Sequence, residues 1–195
     1  MIIERAIFPD NGYLGKIHLE KDTSLSKYDL FELNLENEDI LDYLLRSIKK
    51  EYVEGNTVSG TRYKDKHPKR WFNHLYPTVL EPHVIGIGLL DEIKADMIGW
   101  FSVMRTASKR EWAQFGIIID EKYRRNGIGK AALQCAIDNL SIIFNNDDAP
   151  SRIALTTLAT NEIMQSVATA LGFKERNDLI PNKHNPSRPQ IVYLL

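Results

Sequence analysis

The feature that most constrains the fold is the segment FGIIIDEKYRRNGIGKAA, residues 115–132. It starts as an apolar, strand-forming run, passes through a polar bend, and continues as an amphipathic helix after Gly127 and Gly129. Glycines at a helix start let a ligand approach the backbone, where free N–H groups attract anions. Glycines alone would favour an ordinary turn. Three neighbouring basic residues favour a phosphate-binding turn instead: Arg124, Arg125 and Lys130.

Two common phosphate-binding turns fit this segment poorly. A P-loop requires G-x-x-x-x-G-K-[ST], but Ala131 follows Lys130, and Arg124 stands in the place of the first glycine. The dinucleotide-binding pattern G-x-G-x-x-A matches residues 127–132, but it should follow its strand directly, with an acid ending the next strand. Here seven residues separate Ile119 from the first glycine, and the next strand ends without an acid. A dinucleotide-dependent enzyme is therefore an open but disfavoured alternative.

The rest of the chain alternates predicted strands and helices. Strands are predicted within residues 1–20, over 28–35, 83–90, 97–106, 112–119 and 152–158, and at Phe173 and 191–195. Helices are predicted over residues 37–52, 128–144 and 161–171, the last with Asn161 as N-cap and Gly172 at its C-terminal end. Short polar turns between the middle three strands indicate an antiparallel meander. We predict a single domain, 1–195, in which residues 1–82 carry an atypical insertion and residues 83–195 form the core.

A third kind of turn, R-x-x-G-x-G, matches residues 124–129. At this point the sequence resembles the GNAT superfamily of acyl-CoA-dependent N-acetyltransferases, whose Q/R-x-x-G-x-G/A element it fits. The run Ile117–Asp120 is similar to the family's fourth strand, and Asn161 with Gly172-Phe173 is similar to its N…GF element. The resemblance covers residues 83–175 and is poor before them. It implies an α/β, GNAT-like fold: a twisted mixed sheet of about seven strands with helices on both faces.

The resemblance also implies a function, the transfer of an acetyl group from acetyl-CoA to a primary amine. The acceptor would be a small molecule, a peptide N-terminus or a lysine. The co-substrate's pyrophosphate would meet N–H groups at the helix start, and its pantetheine amides would pair with the fourth strand. The cofactor-binding residues implied are Ile117, Ile118, Ile119, Arg124, Arg125, Asn126, Gly127, Ile128, Gly129, Lys130 and Asn161. No metal is implied.

The residues that handle protons in the family are missing. Its usual tyrosine acid and two alternative glutamate bases correspond here to Ala168, Ala113 and Thr156. Alternate residues of a strand share a face, so Glu111 is the next side chain along from Ala113, about 6.6 Å away. It could act through one water, which makes Glu111 the candidate catalytic residue. The alternative is a non-catalytic or weakly catalytic acyl-CoA-binding regulatory module.

Composition limits the partners and the location. Lys and Arg number 25 and Asp and Glu 26, so a net charge of -1 gives nucleic-acid binding no support. No apolar stretch approaches the ~20 residues that span a bilayer, and the N-terminus does not resemble a signal peptide, so no membrane partner is expected. The single Cys135 excludes an internal disulfide and favours a cytoplasmic location. A homodimer is left open.

Three further candidates have ordinary explanations. The basic and aromatic segment 62–72 is predicted to be a solvated loop, although it could also form a wall of the acceptor site. His184 is predicted to lie in a loop near the same site, and Glu162 is an acid near the presumed cleft. Both are more often surface residues.

Overall fold

A computed structural model of the chain describes residues 3–4, 13–17, 19–53, 79–90, 95–106, 109–144, 149–176, 178 and 189–195. Its strands are β1 (Ile3–Glu4), β2 (Tyr13–Ile17), β3 (Asp29–Leu33), β4 (Val79–Leu90), β5 (Ala95–Thr106), β6 (Lys109–Ile119), β7 (Arg152–Leu158), β8 (Lys174–Glu175) and β9 (Gln190–Leu194). Its helices are α1 (Glu38–Val53), α2 (Ile128–Asp138), α3 (Leu140–Ile143) and α4 (Glu162–Ala170), and a 3₁₀ turn spans Glu121–Tyr123. The segment 62–72 and His184 lie outside the described residues.

The strands form one mixed sheet in the order β1-β2-β3-β4-β5-β6-β7-β9-β8. Neighbouring strands are antiparallel except β6 and β7, which run parallel. Two of the strands, β1 and β8, have only two residues each, so seven strands of five residues or more carry the sheet. The predicted mixed sheet of about seven strands is confirmed, as is the meander of β4, β5 and β6.

Helices cover both faces of the sheet, as predicted. Side chains alternate between the two faces of a strand, so neighbours such as Leu30 and Phe31 join different cores. Residues that pack α1 on one face include Phe31, Leu41, Leu44, Leu45, Ile48, Val84 and Trp100. Residues that pack α2 on the other face include Leu30, Ile85, Phe101, Ile128, Leu133 and Ala136. Helices α1 and α2 therefore belong to opposite sides of the sheet.

The first helix begins where the sequence places a side-chain cap. The Asn37 Oδ1 accepts the backbone N–H groups of Asp39 at 2.9 Å and Ile40 at 3.1 Å. Acidic residues in the first turn and Lys50 in the last turn complement the helix dipole.

The boundary predicted between residues 82 and 83 falls inside β4, so the sheet runs continuously across it.

Two of the differences between the predicted and observed elements have a local cause. The helix predicted over 128–144 is interrupted at Asn139, because its side-chain Nδ2 bonds the Cys135 carbonyl at 2.8 Å, the carbonyl that a continuing helix would bond through the backbone. The strand predicted at Phe173 begins one residue later. The Phe173 N–H bonds the Ala168 carbonyl at 3.0 Å, closing the end of α4 around Gly172, whose φ is 84°.

Candidate active site

A cleft opens where two parallel strands part. The pairing of β6 with β7 runs from Trp112–Arg152 to Phe115–Leu155 and then stops, although both strands continue. A cavity of about 120 Å³ lies at this point. It is lined by Glu51, Phe115, Gly116, Ile117, Ile118, Leu155, Thr156, Thr157, Leu158, Asn161 and Met164. The lining mixes apolar side chains with polar groups and includes the edges of both strands, which suits an extended chain carrying amide groups.

The backbone of β6 directs the N–H and C=O of one residue into this cleft. The Asp120 N–H bonds the Ile98 carbonyl of β5 at 2.9 Å, and the β5–β6 register is unbroken back to Ala113. Bonded and non-bonded pairs alternate in antiparallel strands, so even-numbered residues here face β5 and odd-numbered residues face β7. Because β7 has parted, the N–H and C=O of Ile117 face the cleft.

The carbonyl of Ile119, the next residue of this set, already has a partner. Arg124 donates its Nε to the Ile119 oxygen at 2.8 Å. Its Nη2 also forms an ion pair with the Glu51 Oε1 at the C-terminal end of α1. Arg124 therefore ties the end of β6 to α1, and its charge is shared with a carboxylate. The residue predicted to bind the cofactor thus shapes the turn and holds the strand end in place.

The turn after Arg124 takes a conformation that favours glycine. Arg125 has φ 63° and Gly127 has φ 77°, both in the left-handed region. A Cβ on Gly127 would also lie 3.1 Å from the Ser24 Oγ, in the loop before β3. Helix α2 starts at Ile128, and its first intrahelical bond runs from Ala131 N–H to Gly127 O at 3.0 Å. The N–H groups of residues 128–130 precede that bond and are directed out of the helix end.

Gly129 differs from Gly127 in that neither its conformation nor its surroundings require a glycine. It lies in the first turn of α2, and a Cβ placed on it meets nothing within 4 Å. The fold itself therefore does not require a glycine there, although glycine lowers helix stability relative to alanine. Space kept open above free N–H groups fits a phosphate group approaching the helix end. These residues therefore fit the pyrophosphate of acyl-CoA.

Asn161 closes the cleft from the side of α4. Its Oδ1 accepts the Met164 N–H at 3.1 Å, which caps the helix as predicted. Gln165 fixes the same bend by donating its side-chain amide to the Ala159 carbonyl at 2.8 Å. The cap holds Asn161 and Met164 at the cleft wall.

The remaining predicted residues fall in three environments. Ile118 lines the cleft, whereas the side chains of Ile119 and Ile128 are buried. Only backbone groups of these two residues could meet a cofactor, and the Ile119 carbonyl is already bonded to Arg124. The side chains exposed around the helix start are Arg125, Asn126 and Lys130. Glu111 is exposed and lies four residues before Phe115, the first residue of β6 at the cleft. The structure does not bring Glu111 to the cleft, and its proposed role stays a prediction.

The sequence interpretation missed Glu51. This residue is only 8% exposed and lines the cleft. A signal was present, because Leu44, Ile48 and Glu51 follow one another at helical spacing, which places an acid on the apolar face of α1. An acid on the buried face of a helix requires a partner or a function.

Comparison with known proteins agrees with this geometry. A family model described as acetyltransferase (GNAT) domain matches residues 33–174, and the chain belongs to the GNAT acetyltransferase family. The match begins well before residue 83, the start of the resemblance seen in the sequence. No curated protein matches the chain in sequence.

Solved structures share the fold at low sequence identity. Spermidine N-acetyltransferase from Vibrio cholerae, in complex with CoA and spermine, is 16% identical with a TM-score of 0.61, covering 87% of this chain and 94% of that one. RimL, a ribosomal L7/L12 alpha-N-protein acetyltransferase in complex with CoA, is 14% identical with a TM-score of 0.59, covering 90% and 97%. A domain from Methanocaldococcus jannaschii is 16% identical with a TM-score of 0.57, covering 87% and 97%.

Neither a metal site nor a membrane span is found in the described part of the chain. No group of three or more His, Cys, Asp or Glu residues there could hold a metal ion. None of the described helices is long and apolar enough to cross a membrane.

Proposed function

We propose that this protein transfers an acetyl group from acetyl-CoA to a primary amine. The observation that carries the proposal is the Ile117 peptide group facing a cleft between parted strands, next to a helix start kept open at Gly129. When bound, acetyl-CoA would supply a thioester carbonyl that an amine can attack. The family shown by residues 33–174 supports this reaction, and the named neighbours act on spermidine and on a ribosomal protein.

The chain's own groups would have the following roles in binding and catalysis. The N–H groups of residues 128–130 bind the pyrophosphate, with Arg125 and Lys130 adding positive charge at the same end. The Ile117 C=O accepts from an amide of the extended arm, and the Ile117 N–H stabilises negative charge on the thioester carbonyl oxygen during attack. The buried side chains of Phe115 and Leu155 exclude water from the floor of the cleft.

A binding module is the second candidate function. Two family positions for proton transfer are occupied by Ala113 and Ala168, which are both fully buried, and Thr156 lines the cleft without an ionisable group. A protein of this kind would bind acetyl-CoA and release little or no thiol with any amine. We also expect a cytoplasmic location, because a lone buried thiol fits a reducing compartment.

The experiment has two stages. Calorimetry with acetyl-CoA, CoA and NADH tests the cleft, and binding of NADH alone would contradict both proposals. Thiol release from acetyl-CoA is then followed with spermidine, a peptide carrying a free N-terminus, and a lysine peptide blocked at its N-terminus. Thiol release matched by an acetylated product supports the transferase, whereas tight binding without release supports the module.

A further inference from the structure

The loop over residues 19–28 joins the core of α2 from a part of the chain that the family match does not cover. The match begins at residue 33, whereas this loop precedes β3. Leu25 in the loop is fully buried, and it belongs to the same hydrophobic core as Ile128 and Ala131 of α2. This chain therefore brings to α2 a segment of its own, in addition to the matched domain.

Contacts on both sides of Ser24 hold this loop in place. The Asp22 Oδ1 accepts the backbone N–H of Ser24 at 2.8 Å and that of Leu25 at 3.3 Å. Before this bend, Asn139 exchanges two hydrogen bonds with the Glu20 backbone, and after it the Leu25 side chain is buried. The backbone of Ser24 is therefore fixed beside α2.

The Ser24 hydroxyl lies next to the N-cap of α2. A Cβ placed on Gly127, the N-cap residue, would be 3.1 Å from the Ser24 Oγ and 3.8 Å from the Ser24 Cβ. Gly127 has no side chain to bond the first N–H groups of the helix, and those of residues 128–130 precede the first intrahelical bond. The hydroxyl thus lies beside the residue from which these N–H donors follow.

The Ser24 hydroxyl makes no hydrogen bond of its own within the part of the chain that the structure describes. The Ser26 Oγ, two residues further on, donates instead to the Thr23 carbonyl at 2.8 Å. A serine hydroxyl supplies one O–H donor, and each backbone amide of the helix start supplies one N–H donor. Donors from two segments therefore meet at one end of α2, and a phosphate group presents the acceptor oxygens that match them.

Net charge is not what this loop contributes. Its two lysines, Lys21 and Lys27, are balanced by Glu20 and Asp22. The contribution expected of Ser24 is a directed hydrogen bond, which depends on the O–H group rather than on the charge of the loop.

We propose that Ser24 donates its hydroxyl to a phosphate oxygen of acetyl-CoA and is a further cofactor-binding residue of this site. The proposal rests on the proposed function, because it concerns the co-substrate of the same site. The Ser24 O–H adds one donor to the N–H groups of residues 128–130. The pyrophosphate and the 3′-phosphate of acetyl-CoA share this chemistry, and the experiment distinguishes them.

The test compares two changes at Ser24 with the same changes at Ser26. Ser24→Ala removes the hydroxyl, and Ser24→Asp replaces it with a negative charge. Ser26→Ala and Ser26→Asp are the matched controls, because Ser26 is exposed and belongs to the same loop. Calorimetry measures the affinity for acetyl-CoA, for 3′-dephospho-acetyl-CoA and, by displacement with acetyl-CoA, for S-acetylpantetheine, which has the thioester arm without any phosphate. Thermal melts verify that each variant is folded.

We expect Ser24→Ala to weaken acetyl-CoA binding about fivefold or more, because a hydrogen bond to a charged group is lost. Ser24→Asp should weaken it further through charge repulsion, and both Ser26 variants should change it less than about twofold. The affinity for S-acetylpantetheine should be the same in Ser24→Ala and wild type. A full loss with 3′-dephospho-acetyl-CoA would assign the hydroxyl to the pyrophosphate, and no loss with that compound would assign it to the 3′-phosphate.

Three results would overturn the proposal. These are an unchanged acetyl-CoA affinity in Ser24→Ala, an equal loss in Ser26→Ala, and an equal loss for S-acetylpantetheine. Either of the last two would mean that the shape of the loop, rather than a bond from the hydroxyl to phosphate, determines the affinity. None of these results affects the proposed function, which fails instead if wild-type protein does not bind acetyl-CoA.

Discussion

Asn139 and the backbone of Glu20 exchange two hydrogen bonds although 119 residues separate them. The Glu20 N–H donates to the Asn139 Oδ1 at 3.1 Å, and the Asn139 Nδ2 donates to the Glu20 carbonyl at 3.1 Å. The same Nδ2 bonds the Cys135 carbonyl, and the side chain is fully buried. One amide thus ends α2 and fastens the loop before β3 to it.

Replacing this amide should destabilise the fold. Asn139→Ala leaves the Glu20 and Cys135 groups without their partner, which should cost about 2–3 kcal/mol of unfolding free energy. Asn126→Ala is the control, because Asn126 is exposed and makes one side-chain bond to the Tyr123 carbonyl. It should cost less than about 0.5 kcal/mol. Urea unfolding measures both, and similar values for the two variants would contradict the structural role.

The two glycines of the turn should respond in opposite ways to alanine. Gly129→Ala finds open space and gains helix propensity, so we expect stability to rise by up to about 1 kcal/mol while acetyl-CoA affinity falls at least tenfold. In Gly127→Ala the alanine must adopt φ near 77° and its Cβ must pack against Ser24. We therefore expect the unfolding free energy to fall by about 1–2 kcal/mol. Thermal melts and calorimetry measure the two effects.

Gly129→Asp extends this comparison. Its carboxylate would occupy the pyrophosphate position and repel its charge, so acetyl-CoA binding should be lost while the protein stays folded. Unchanged affinity in both Gly129 variants would mean that the co-substrate binds elsewhere.

Proline substitution tests the direction of the β6 peptide groups. Ile117→Pro removes an N–H that faces the cleft and leaves the hydrogen bonds between β5 and β6 in place. We therefore expect the melting temperature to fall little and the acetyl-CoA affinity to drop at least tenfold. Ile118→Pro removes an N–H that faces β5 and should destabilise the fold by about 3 kcal/mol or more. Equal melting temperatures for the two variants would mean that the alternation assigned here is wrong.

The Cys135 thiol should be protonated and unreactive in the folded protein. Burial, with Asp138 as a smaller contribution, raises its pKa from 9.0 to about 12. Between pH 9 and pH 12 the thiol is therefore protonated in the folded state and ionised in the unfolded state. Its contribution to the unfolding free energy is fully present below pH 9 and is lost as the pH rises towards 12. The loss is at most about 1.4 kcal/mol per pH unit.

Two measurements check this prediction. Denaturant unfolding at pH 8 and pH 10 should give a steeper loss of stability for wild type than for Cys135→Ala. A disulfide reagent at pH 8 should label the thiol only after unfolding. Rapid labelling of native protein would contradict the burial, and it would also interfere with the thiol-release assay.

Glu111→Gln tests the sequence-based candidate for the base. A general base typically contributes about 100-fold to kcat/KM. Glu111 is exposed and stands about 13 Å along β6 from Phe115, so we expect a change of less than threefold. A hundredfold drop with unchanged acetyl-CoA affinity and partial recovery at high pH would identify Glu111 as the base.

The sequence by itself determined the features that depend on residues close together in the chain. The R-x-x-G-x-G turn, the Asn161 cap and the left-handed Gly172 each have a sequence signature within a few neighbouring residues, because the cap bonds and the positive φ values are local. Strand alternation and helical spacing similarly predicted a mixed sheet with helices, and the family resemblance implied that the helices cover both faces. The family resemblance followed from the order of these local signals.

Only the tertiary structure decided which groups meet in the cleft. Glu51 and Arg124 form their ion pair across 73 residues, and no local pattern links them. The cleft-facing peptide of Ile117 depends on how β6 pairs with β5 and where it parts from β7, which are properties of three strands rather than one. Contacts between distant segments depend on the packing of the whole sheet, so the groups that line this cleft could be identified only once the chain was folded.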